Sequence, residues 1–167
     1  MMEKVFVDMI NIHRGIIYKV CNLYAHHPED KKDLFQEIVL QLWKSFPSFR
    51  AESKPSTWMY RVALNTAITV FRKERKMPER KDLSADEFQI PDVSDFAAAD
   101  EQMSQLKRAI RLLSEIERAV ILLYLEDKNY EEISEIIGIS KVNVGVRINR
   151  IKIKLEKIIK SDRYELR

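Results

Sequence analysis

Between Tyr130 and Ile159 the chain runs YEEISEIIGISKVNVGVRINRIKIKLEKII, two apolar stretches of helical period broken at one glycine. Few arrangements accept that pattern. Ile133, Ile136 and Ile137 fall on one side of the first stretch, while Glu131, Glu132 and Glu135 point elsewhere. Asn129 stands in the N-cap position with Glu132 three residues on as its reciprocal partner, so this helix has a marked start. Gly138 marks its stop, because glycine enters the left-handed conformation without a Cβ penalty and turns the chain before Ser140 caps the next helix. Small Ser134 lets the second helix approach closely. In that second helix Val144, Ile148, Ile151, Leu155 and Ile158 recur at three- and four-residue steps and predict one buried stripe. The spacing predicts a helix-turn-helix.

A polar stripe runs beside the apolar one. Asn143, Arg147, Arg150, Lys154 and Lys157 share its spacing, placing an amide and then four cations along one exposed edge. A basic helix surface taken alone is most often solvated. Joined to a capped helix and a glycine turn, it is the distribution a major-groove helix needs: short polar side chains near the N-terminus for base edges, cations further on for phosphates.

Composition sets the frame around this tail. At 167 residues the chain accommodates one ordinary domain or two small ones. Three glycines and five prolines are few, three of the prolines (Pro28, Pro47, Pro78) fall at expected helix boundaries, and no strand run stands out, so an all-α fold is expected. The lone Cys21 excludes an intramolecular disulfide and any cysteine-based metal cluster. With no leader-like segment and no long apolar span, a cytoplasmic protein without membrane contact is expected. The net charge of +3 conceals a division: residues 1–49 are neutral, 50–76 carry +5, 77–137 carry −8 and 138–167 carry +6. Two basic segments flanking an acidic middle point to two nucleic-acid contacts on one chain.

In chain order, Val5, Met9, Ile12, Ile16, Val20 and Leu23 predict one long packing helix from Val5 to Tyr24. His13, His26 and His27 match no ligand spacing, and no metal or cofactor is expected. A second helix, from about Asp30 to Phe46, turns Phe35, Ile38, Val39, Leu42 and Phe46 inward. Its opposite edge, Asp33, Gln36, Glu37 and Gln41, reads either as solvated surface or as a docking face for a basic helical partner. After a loop from Pro47 to Pro55, a third helix capped by Ser56 or Thr57 carries Arg61, Asn65, Thr69, Arg72 and Lys76 as a polar stripe and ends in the cluster Arg72, Lys73, Arg75 and Lys76. Phe49 beside Arg50, Trp58, and Tyr60 beside Arg61 mix rings with cations, which suits single-stranded DNA better than closed duplex; each ring taken singly suits a core equally well. Residues 77–99, acidic and with little periodicity, read as a flexible linker between two helical domains, 1–76 and 100–167. Met103, Leu106, Ile110 and Leu113 resume the helical period, and Ser114 with Glu117 predicts a capping box opening a helix to Glu126.

Together these segments resemble the small two-domain bacterial sigma factors of the sigma-70 family, extracytoplasmic-function (ECF) subgroup. DLFQEIVLQLW is similar to the family's D-L-x-Q-E…W segment, which implies that Asp33, Gln36 and Glu37 dock the clamp helices of core RNA polymerase. FRAESKPSTWMYRVALNTAITVFRKERK resembles the family's F-R…T-W-[LM]-Y-R-[IV]-A-x-N…R segment. By that resemblance the loop Phe49 to Thr57 captures an unpaired base of the downstream (−10) element and the helix from Trp58 to Lys76 lines the melted strand, with Phe49, Arg50, Trp58, Arg61, Asn65, Arg72 and Lys73 as candidate contacts. LSEIERAVILLYLEDKNYEEISEIIGIS resembles the segment that grips the polymerase flap, and the next helix matches the pattern [TN]-V-x-x-R-[LI]-x-R. That assigns Ser140, Lys141, Asn143, Arg147, Arg150 and Lys154 to the upstream (−35) duplex.

Three departures stand out: Ser114 where a proline is common, Thr69 where an aspartate is frequent, and Gly145-Val146 where lysine and serine are frequent. Gly145 costs about 1 kcal/mol of helix propensity relative to alanine and removes an expected phosphate contact. The resemblance implies a promoter-specificity subunit whose partners are core polymerase (clamp helices and flap), promoter DNA and an anti-sigma factor. No enzyme is expected, since the sequence supplies no nucleophile with a base and no phosphate-cradling glycine loop; strand opening would draw on binding energy. Two other readings remain: a dimeric helix-turn-helix regulator binding a palindromic closed duplex without polymerase, and a helical adaptor whose basic faces dock acidic proteins.

Overall fold

Four helices carry the first half and four the second in a computed structural model that describes residues 1–49, 51–76 and 101–165. Arg50 and the linker expected over 77–99 lie outside the described residues, among which there is no strand.

Where one helix was expected from Val5 to Tyr24 there are two, α1 (Met2–Ile12) and α2 (Arg14–Tyr24), broken at His13 (φ −107°, ψ 22°). Gly15, a weak helix former, stands two residues on, in the first turn of α2. The packed side of α1 is also out of phase with the expected stripe: Phe6 and Ile10 are buried, whereas Val5 and Ile12 are exposed. Aromatic packing decides this, since the Phe6 ring lies edge-on to Trp43 (5.0 Å) and Phe46 (5.3 Å). Helix α3 (Pro28–Ser45) starts with Pro28 in its first turn, where the missing N–H costs nothing, and has Glu29 and Asp30 near its N-terminus and Lys44 near its C-terminus, as the dipole favours. It buries Leu34, Ile38 and Leu42 and passes through a 3₁₀ turn, Phe46–Ser48. Helix α4 (Pro55–Arg75) starts on Pro55 rather than behind a cap from Ser56 or Thr57, and Thr57 is buried instead. Helices α2, α3 and α4 pack on one another.

The second half comprises α5 (Glu101–Arg111), α6 (Glu115–Leu125), α7 (Tyr130–Ile137) and α8 (Lys141–Glu165). Ser114 and Glu117 form the full capping box: Oγ accepts from the Glu117 N–H (3.2 Å) and Glu117 Oε1 from the Ser114 N–H (3.0 Å). Helix α8 lays Val144, Ile148, Ile151 and Leu155 against α5, α6 and α7. Met103, expected inside, is exposed.

The halves meet where α4 lies against α6 and α7. The Tyr24 hydroxyl donates to the Glu115 carbonyl. Arg118, only 5% exposed, stacks on Phe71 (5.0 Å) and Tyr24 (5.9 Å) and donates to the carbonyls of Leu113, Arg111 and Leu23. Burial pulls its pKa below the usual arginine value. A desolvated cation is tolerated here because carbonyls and ring faces replace its water.

Candidate nucleic-acid interface

Local chemistry positions the helix-turn-helix. Asn129 Oδ1 accepts the Glu132 N–H at 2.8 Å, while the Glu132 carboxylate reaches Lys128 (3.8 Å) instead of completing a reciprocal cap. Gly138 sits in the left-handed region (φ 83°, ψ 29°) and its N–H donates to the Ser134 carbonyl (2.8 Å). The Ser134 hydroxyl bonds across the turn to the Ile139 carbonyl, and Ser140 Oγ caps α8 by accepting the Asn143 N–H (3.2 Å). The start of α8 is therefore braced from both sides.

Ser140, at the cap, and Lys141, Asn143, Arg147, Arg150 and Lys154, on the helix, are all exposed. Arg147 and Arg150 have no ion-pair partner among the described residues, whereas Lys154 Nζ is 3.0 Å from Glu117 Oε1. Gly145 faces α7 and not the edge of Arg147 and Arg150. A Cβ there would lie 3.3 Å from the Tyr130 ring, so a lysine at this position would meet α7 first.

In the first half, Asp33 and Glu37 on α3 face Asn65 and Lys73 on α4 across an open groove of about 630 Å³. Gln41 Nε2 donates to Glu37 Oε1 (3.0 Å), and Gln36 is exposed outside the groove. Phe49 lies on Trp58 (centroids 4.8 Å apart), and Trp58 is only 7% exposed, so in the free chain these rings pack on each other. Two of the expected strand-binding arginines already have acidic partners in the second half. Arg61 donates to the Glu135 carbonyl (3.1 Å) with the Glu135 carboxylate 3.6 Å away. Arg72 Nε donates to Glu115 Oε1 at 2.9 Å, and Arg75 lies 3.7 Å from Glu115 Oε2. The Arg72 hydrogen bond, more than any other influence, holds the Glu115 carboxyl below its ordinary range. Glu115 and Arg118 were not singled out from sequence; their partners lie too far away along the chain to leave a spacing signal.

Among the described residues no helix is long and apolar enough to cross a membrane, and no three His, Cys, Asp or Glu side chains gather to hold a metal ion. Two all-helical modules, one ending in a helix-turn-helix with an open basic edge and the other bearing a basic helix beside an acidic groove, define a DNA-binding protein. Residues 9–77 match sigma-70 region 2 and residues 103–155 match sigma-70 region 4. The ECF RNA polymerase sigma-E factor of Haemophilus influenzae is 31% identical, over 92% of this chain and 87% of its own length. The RNA polymerase sigma factor YlaC of Bacillus subtilis is 27% identical, over 86% of this chain and 85% of its own. The fold is shared with the sigma factor RpoE of Bartonella quintana, solved in complex with the anti-sigma factor NepR (TM-score 0.69, 21% identity, 95% of this chain and 99% of that one).

The chain belongs to the ECF subgroup of the sigma-70 family. It is a promoter-specificity subunit of bacterial RNA polymerase, a non-enzymatic protein that binds the core enzyme, recognises the −35 and −10 promoter elements and supports DNA melting.

Proposed function

We propose a division of this work among particular residues. In a domain spanning 1–76, Asp33, Gln36 and Glu37 dock the polymerase clamp helices; Leu40, exposed one turn beyond Gln36, gives that edge an apolar centre. Phe49, Arg50, Trp58, Arg61, Asn65, Arg72 and Lys73 engage the melted −10 strand, where capture of an unpaired base offsets the few kcal/mol of unstacking. A linker over 77–99 leads to a domain spanning 100–167, in which Ser140, Lys141, Asn143, Arg147, Arg150 and Lys154 read the −35 duplex. The protein acts in the cytoplasm, where the polymerase is, and is held by an anti-sigma factor, as its Bartonella structural relative is.

The observation that carries this reading is the edge Asn143–Arg147–Arg150, exposed and without acidic partners on a helix whose start is fixed by Gly138 and Ser140. Footprinting of the holoenzyme on a promoter tests it. Arg147→Ala with Arg150→Ala should abolish protection of the upstream element. Asn65→Ala with Lys73→Ala should keep that protection and lose the permanganate reactivity of melted thymines. Unaltered footprints from both pairs would overturn the assignment.

A further inference from the structure

Over the first half of α8, the side chains that project most directly away from the core are not the cations. The buried stripe runs through Val144, Ile148, Ile151 and Leu155. At 3.6 residues per turn, the opposite side of the helix is occupied by Val142, Val146, Asn149 and Ile153, with Arg147 and Arg150 along one flank and Lys141 toward the other. Val142 is 76% exposed and Val146 39% exposed, and neither belongs to the core. Folding does not favour them there. Valine loses side-chain freedom in a helix and is a poorer helix former than the lysine or glutamate an exposed position usually carries.

An apolar ridge flanked by cations has the cross-section of a major groove turned inside out. Phosphates line the groove's two rims, while its floor presents base edges, and the one apolar group on that floor is the 5-methyl of thymine. Cα atoms four residues apart on a helix lie about 6 Å apart along the axis against about 3.4 Å per base step, so side chains one turn apart reach base pairs one or two steps apart. Resting on the reading of α8 as the duplex reader, we infer that Val142 and Val146 are specificity residues that contact thymine 5-methyl groups in the upstream element. The chain therefore selects promoters with thymine at the positions under these two side chains. Arg147 and Arg150 contribute affinity, and the valines contribute base choice.

Replacing thymine by deoxyuridine deletes only the methyl group and keeps every Watson–Crick and groove hydrogen bond. The probe is the upstream duplex of a promoter that the holoenzyme transcribes from genomic fragments, synthesised with thymine or with deoxyuridine at each site in turn. With wild-type holoenzyme, deoxyuridine at one or two sites should weaken binding about fourfold per methyl, the equivalent of one buried methylene at about 0.8 kcal/mol. Val142→Ala and Val146→Ala should each weaken binding to the thymine duplex by a similar factor and become indifferent to deoxyuridine at their own site. Both substitutions lie at exposed positions, and the helical circular dichroism should be unchanged. Three results would overturn the inference: an upstream element without thymine, wild-type binding insensitive to every deoxyuridine, or alanine variants that lose equally on both duplexes. If no promoter complex forms with any probe, the assignment of α8 to duplex DNA fails, and this inference fails with it.

Discussion

Helices α4 and α8 carry similar basic edges, yet in the free chain the arginines of the first are occupied and those of the second are open. Arg61, Arg72 and Arg75 on α4 pair with Glu135 and Glu115 from the second half, and Trp58 is covered by Phe49. On α8, Arg147 and Arg150 meet no carboxylate among the described residues. The acidic middle of the sequence explains the difference. Glu115 and Glu135 belong to the acidic stretch of the sequence, and both stand on helices that pack beside α4, whereas on the exposed edge of α8 a carboxylate of that stretch, Glu117, reaches Lys154 and not the arginines. Matching composition therefore does not mean matching availability. For Arg61 and Arg72 to meet a DNA strand, phosphate must replace carboxylate, an exchange that Arg147 and Arg150 do not require.

The largest effect expected from this contrast is on folding. Trp58→Ala empties a buried aromatic site and should cost about 3–5 kcal/mol of stability, read as a lowered denaturation midpoint. A midpoint within a degree or two of wild type would show that the ring is not part of the core. On the open edge, Arg147→Ala and Arg150→Ala should each cost roughly 1–3 kcal/mol of upstream-duplex binding with little change in stability. If these groups meet phosphates, each substitution should also reduce the slope of log affinity against log salt by about 0.9. A slope identical to wild type would remove them from the phosphate contacts.

A smaller effect is expected at the junction. Glu115→Gln weakens the pairs with Arg72 and Arg75, which water partly screens, and should cost about 1 kcal/mol of association between the halves. Small-angle scattering should show an expanded chain, and a single-stranded −10 oligonucleotide should bind several-fold better. Because the folded-state pKa of Glu115 is depressed, its contribution is complete above the ordinary value of 4.5 and is lost as pH falls through the lowered one. Stability of the Gln variant should lack that part of the acid dependence. Least of all, Glu135→Ala removes an exposed pair at 3.6 Å and leaves the bond from Arg61 to the backbone carbonyl. A loss below about 0.5 kcal/mol is expected by thermal denaturation.

The parts of the fold legible in the sequence were those with short-range signals. Asn129, Gly138, Ser140 and the Ser114–Glu117 box act within three or four residues, and each holds the expected place. The stripe from Val144 to Ile158 is likewise local; it is buried as far as Leu155 and half-buried at Ile158. Contacts across long separations were not legible. The phase of α1 is set by Phe6 against Trp43, and the cage around Arg118 uses Leu23, Tyr24 and Phe71 from the other half. Periodicity cannot report such partners. The start of α4 was a different failure, since Pro55 is a well-defined first-turn residue and competes with the hydroxyls of Ser56 and Thr57 as the start signal.

The sigma assignment is tested most directly by run-off transcription with core bacterial RNA polymerase, with and without this chain, on fragmented DNA from its source organism. Discrete transcripts that require the chain, and that disappear with Arg147→Ala and Arg150→Ala, are the expected result. No transcripts and no co-elution with core polymerase, together with tight binding of a palindromic duplex by the chain alone, would contradict it.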